Sequence, residues 1–130
     1  MEKVLQFLKD CGTFYLATVD NDQARVRPFG AVCGYNGKLY ITTNNQKPVY
    51  RQMKADPKVE ISGMVGGSWL RLAANAVEEP SREARVAMLE ANPGLSGMYS
   101  ADDGLMVVFS LENAEAQFCS FTSAPEIVRF

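Results

Sequence analysis

Residues 24–43 read ARVRPFGAVCGYNGKLYITT, and the dipeptide Asn36-Gly37 inside this stretch decides how it folds. Both central residues of a type I′ hairpin turn need positive φ, which asparagine and glycine tolerate best. Apolar and β-branched residues flank the dipeptide. Ala24 to Tyr35 therefore predicts one long strand, and Lys38 to Thr43 the strand that returns along it. Pro28 and Gly30 suggest an edge position or a bulge, because proline cannot donate to a sheet ladder. Alternation puts Arg25 and Arg27 on one face, Val26 and Pro28 on the other, and the hairpin lays both arginines beside Thr42 and Thr43 on an adjacent strand.

Working outward, residues 3–9 predict a short amphipathic helix stopped at Gly12, and Thr13 to Val19 a strand ending at Asp20-Asn21-Asp22. Pro48 suits the first position of a helix reaching about Lys54, closed by Asp56-Pro57. Lys58 to Val65 and Ser68 to Val77 predict strands joined at Gly66-Gly67. Ser81 can cap a helix through Asn92, before a short turn segment with Leu95, Met98 and Tyr99. Leu105 to Ser110 and Glu115 to Phe121 complete about seven strands. Short antiparallel strands with tight turns and two or three helices predict a mainly β, α+β fold, a small barrel with short flanking helices, filling residues 1–130 as one domain.

The composition removes several function classes. With 13 basic and 15 acidic residues the chain lacks the basic excess of a nucleic-acid binder. It has no histidine, which excludes His-dependent triads and the usual zinc or non-haem iron sites, so no metal site is expected. Cys11, Cys33 and Cys119 form no CxxC pair and have no histidine to activate them; they read as small buried hydrophobes in a reducing, cytoplasmic setting. No apolar run is long enough for a membrane span, and the charged N-terminus is not a signal peptide.

Three places can carry chemistry. Thr42-Thr43-Asn44-Asn45-Gln46-Lys47-Pro48 puts two hydroxyls, three amides and a lysine just before a helix, which suits a phosphate; the alternative is a solvated polar loop. Arg25 and Arg27 suit a phosphate or the electron-rich edge of a heterocycle, or else pair with acidic neighbours. Trp69 and Arg71 share a strand face, where the indole lines a flat ligand or anchors the barrel.

The order of Phe14-Tyr15-Leu16-Ala17-Thr18, Arg25-Val26-Arg27-Pro28-Phe29, Asn36-Gly37-Lys38-Leu39-Tyr40, Thr42 to Lys47, Met53 to Val59 and Trp69-Leu70-Arg71-Leu72 resembles the pyridoxamine 5′-phosphate oxidase-like family, most of all its short single-domain, nitroimidazole-resistance reductase-like branch. The resemblance implies an antiparallel split β-barrel that is homodimeric and binds FMN in two clefts between subunits. By position, Arg25, Val26, Arg27 and Pro28 would border the isoalloxazine. Thr42 and Thr43 would reach the ribityl chain or phosphate, and Gln46, Lys47 and Pro48 would cradle the phosphate. Trp69 and Arg71 would come from the partner subunit. Two departures stand out. Pro48 occupies a second basic position of the phosphate loop, and the segment after Phe130 that holds the substrate phosphate in the oxidases is missing, so vitamin B6 oxidation is not expected. The implied activity is an FMN-dependent oxidoreductase acting on a small molecule. The rivals are a non-catalytic flavin-binding or redox-sensing module, and a cofactor-free interaction or oligonucleotide-binding barrel.

Overall fold

A computed structural model describes all residues 1–130. Helix α1 (Glu2–Cys11) buries Val4, Leu5 and Leu8 and stops at Gly12, whose φ of 70° suits glycine. Strands β1 (Phe14–Asp20), β2 (Gln23–Phe29), β3 (Val32–Tyr35) and β4 (Lys38–Asn44) follow, then helix α2 (Pro48–Ala55) and strands β5 (Lys58–Val65) and β6 (Ser68–Glu79). Helix α3 (Arg82–Ala91), a 3-10 turn (Pro93–Gly97), the long β7 (Met106–Ser120) and β8 (Glu126–Arg129) complete the chain. No helix is long and apolar enough to cross a membrane.

All eight strands form one antiparallel sheet, in the order β2-β1-β5-β6-β7-β4-β3, with β8 paired to β7. The Asn36-Gly37 turn has φ of 52° and 76°, the pair that a type I′ hairpin requires, and it pairs Tyr35 with Lys38.

The expected long strand over 24–35 is two strands. It breaks at Gly30-Ala31, and its halves lie at opposite ends of the strand order. The arginines of β2 therefore do not lie on a strand adjacent to Thr42 and Thr43: β2 pairs only with β1, and β4 pairs with β3 and β7. A proline and a glycine close together end ladder pairing, and the chain turns there to start the other edge. Conversely, residues 105–121, expected as two strands, are the single strand β7. Asn113, at φ 50°, takes up a register shift opposite Ala73 to Asn75, between the two expected strands.

The main core lies between the sheet and helices α1 and α2, with Phe14, Leu16, Ile41, Ile61, Leu72 and Phe109 fully buried. A second, smaller core forms where Ala84 and Met88 of α3 cover Cys33, Tyr40, Met106 and Val108. The other face of β1, β2 and β5 keeps Tyr15, Val26 and Met64 exposed.

Candidate functional site

The loop after β4 is tied down residue by residue. Asn44 Oδ1 accepts the Gln46 N–H at 2.9 Å, Asn45 Nδ2 donates to the Gly104 carbonyl at 2.9 Å, and the Asn45 N–H donates to the Leu105 carbonyl at 2.9 Å. This fixed loop delivers Lys47 to the N-cap of α2, where Pro48 presets the first helical φ. No side chain caps α2 and its first turn holds no acid. Lys47 has no carboxylate within salt-bridge distance, unlike Lys54, which pairs with Glu78 at 3.0 Å. An uncapped helix start beside an unpaired ammonium suits an anion.

Thr42, Thr43 and Lys47 line one wall of a cavity of about 630 Å³ together with Pro28, Phe29 and Gly30. Thr42 Oγ1 spends its proton on the buried Val107 carbonyl at 2.8 Å, while the Thr43 hydroxyl bonds to no other protein group. The opposite wall comes from the end of α3 and the 3-10 turn, and includes Asn92, Leu95, Met98 and Tyr99. Asn92 Nδ2 fixes that wall by donating to the Val32 and Met88 carbonyls, each at 3.1 Å. Lys47 is the sole charged side chain around the cavity.

Of the eleven residues expected at the site, Pro28, Thr42, Thr43 and Lys47 meet here. Pro48 lies on the far side of the α2 start, in a second cavity of about 530 Å³ with Arg51 and Gln52. The Gln46 side chain turns back to Asn45 Oδ1 at 2.8 Å. Val26 is exposed on the outer sheet face, and Arg25 is held by Asp20 at 3.1 Å. Arg27 donates to the Leu16 carbonyl at 3.0 Å and to Gln52 Oε1 at 2.7 Å, with no carboxylate partner. Burial, and then the Arg25 charge, lower its pKa from the ordinary value, but a guanidinium stays charged. Arg71 pairs with Glu60 at 3.3 Å, and Trp69 packs on the 88% exposed Phe121 with ring centroids 4.9 Å apart; neither reaches the cavity of its own chain.

These residues fit a molecule with one anionic end and a flat, largely apolar body. Lys47, the Thr43 hydroxyl and the α2 start would receive the anion, and residues 28–31 the body. A sequence profile described as pyridoxamine 5′-phosphate oxidase matches residues 1–120. The chain belongs to this family. A NimC/NimA family protein from Clostridium acetobutylicum is 49% identical over 100% of this chain and 93% of its own, with a TM-score of 0.96. General Stress Protein 26 from Bacillus anthracis shares 17% identity over 99% and 97% of the two chains at TM-score 0.79. A FAD-binding protein from Mesorhizobium loti shares 18% over 92% and 93% at 0.61. The latter two likenesses speak for the fold alone, and no curated protein sequence matches significantly. In this member of the pyridoxamine 5′-phosphate oxidase family, the wall of Asn92, Leu95, Met98 and Tyr99 was not among the expected site residues. The available signal was three large apolar or aromatic side chains inside a Gly/Pro/Ser tract that otherwise reads as a bare turn.

Proposed function

We propose that the chain binds FMN as a homodimer and acts as a flavin-dependent oxidoreductase on a small molecule in the cytoplasm. The observation that carries this reading is the convergence of Pro28, Thr42, Thr43 and the unpaired Lys47 on one cavity at an uncapped helix start. Bound FMN supplies the hydride and electron chemistry, for which the protein needs no histidine. Lys47 and the unpartnered Val49 N–H at the start of α2 hold the phosphate, with the Thr43 hydroxyl beside it. Pro28 to Ala31 border the ring system, while Arg27, whose charge no carboxylate neutralises, contributes positive potential nearby. Gln46 and Pro48 shape the loop rather than touch the phosphate.

Homodimerisation draws support from the outer sheet face, where Tyr15, Val26 and Met64 are 51%, 67% and 59% exposed, large apolar side chains that a partner subunit would cover. Trp69, Arg71 and Phe121 lie away from their own cavity, as residues serving a partner's cleft would. Sedimentation should return twice the 14.3 kDa chain mass; a monomer that binds FMN tightly would remove the shared cleft. The functional test is direct. The purified protein should be yellow, release FMN on heating, and consume NAD(P)H steadily with an electron acceptor. A protein that takes up no FMN overturns the reading, and uptake without turnover leaves a flavin-binding or redox-sensing module.

A further inference from the structure

Gln52 stands where an amphipathic helix normally places an apolar side chain. It lies three residues after Val49 and next to Met53, the two buried residues of α2, so it belongs to the stripe that faces the sheet. A polar group on that stripe needs partners. Its Oε1 has two, accepting from the Thr18 hydroxyl at 2.5 Å and from Arg27 Nη2 at 2.7 Å. A guanidinium only donates, so the oxygen of the amide, not its nitrogen, faces Arg27. Thr18 is buried, which closes the β1 side of this junction to other partners.

Arg27 is held from a second side. In the register of β1 with β2 it lies opposite Leu16, and its Nη1 donates to the Leu16 carbonyl at 3.0 Å. Arg25, Arg71, Arg82 and Arg129 each pair with a carboxylate. Arg27 is fixed by neutral oxygens alone. The difference is electrostatic. A carboxylate would orient the guanidinium equally well but cancel its charge, whereas an amide orients it and leaves the charge in force. Pro28, the next residue along β2, lines the cavity. Helix α2 thus carries one cation at its start, Lys47, and orients a second through Gln52.

We propose that Gln52 is a positioning residue: it fixes the Arg27 guanidinium without neutralising it, so that the full charge favours electron gain by the flavin. This rests on the flavin reading above. Two electrons and one proton leave a flavin one charge more negative, and a fixed cation stabilises that form over the oxidised one.

The test compares the midpoint potential of bound FMN in the parent, Gln52→Glu and Gln52→Leu, and repeats the Gln52→Leu comparison in an Arg27→Gln background. Gln52→Glu keeps the shape and supplies the missing counter-charge. It should weaken reduced relative to oxidised FMN about three- to tenfold, tenfold being about 30 mV for a two-electron couple. Gln52→Leu frees the guanidinium to turn towards water. It should lower the potential less and, once Arg27 is replaced, not at all. An unchanged potential in folded, FMN-loaded Gln52→Glu, or an equal effect of Gln52→Leu in both backgrounds, overturns the role. Positioning is also read on the apoprotein with phenylglyoxal, which labels free guanidinium groups. Gln52→Leu should speed labelling of Arg27 several-fold and leave Arg51, on the same helix, unchanged. Equal acceleration of both, or of neither, overturns the proposal. Protein that takes up no FMN overturns the flavin reading instead, and the labelling then decides whether Gln52 positions Arg27.

Discussion

Helices α2 and α3 begin in opposite ways. The Ser81 hydroxyl accepts the Ala84 N–H at the start of α3, and Glu83 adds an acid to its first turn. Lys47 starts α2 with no side-chain cap, no acid in the first turn and a positive charge at the positive end of the helix dipole. Both helices are short, so both need help at the N-terminus. One start serves folding; the other leaves the Val49 N–H without a partner and adds a repelling charge, with only Pro48 preorganising the turn. Local stability has been withheld where an external anion can restore it.

Changing Lys47 breaks the contrast most sharply. Lys47→Ala should weaken FMN by roughly ten- to a hundredfold, the equivalent of about 1.5–3 kcal/mol for a charge-assisted contact, and leave riboflavin nearly unaffected. Paired titrations of the apoprotein decide it: equal losses for both ligands mean that Lys47 shapes the loop, and no loss for either means that the anion sits elsewhere.

Next in size is the cap itself. Ser81→Ala should cost about 1 kcal/mol in denaturant unfolding without altering FMN affinity. Lys47→Ser, which gives α2 the cap that α3 has, should stabilise the apoprotein by a few tenths to about 1 kcal/mol while weakening FMN. If Lys47→Ser destabilises the apoprotein, the idea of withheld stability fails.

The smallest effect concerns the thiols. Burial pushes the Cys33 thiol up to about 11, so it stays protonated and unreactive until well above neutral pH. Native protein at pH 8 should leave Cys33 unalkylated, with labelling appearing only on unfolding. Replacing each cysteine by alanine should leave flavin content and any turnover within a few-fold; loss of turnover in a folded, FMN-loaded variant would reveal a redox thiol.

Local chemistry was legible in the sequence where one residue type answers one backbone need. Asn36-Gly37, Gly12, Pro48 and Ser81 all stand where their conformational preferences put them. Strand partnership was not legible. Residues 24–35 alternate like one strand, and nothing in their periodicity reports that Gly30-Ala31 sends the two halves to opposite edges. That is why the arginines and threonines, read as neighbours, are separated, and why the cavity joins Thr42 and Thr43 to Pro28 instead of to Arg25 and Arg27. The gap left between Ser110 and Glu115 erred in the other direction, since Asn113 there forms a bulge within one long strand and not a break between two. The α3-side wall stayed hidden because irregular backbone has no period to read.

The two-residue link at Gly30-Ala31 also orders events in time. The β1-β2 and β3-β4 hairpins are local and can form early. Their ends, joined by that link, become the rim of one cavity only once β6 and β7, residues 68–120, have bridged β5 to β4. The α3-side wall lies inside that same late stretch. The cavity rim thus depends on the longest-range pairings of the sheet and is expected to close after the two hairpins.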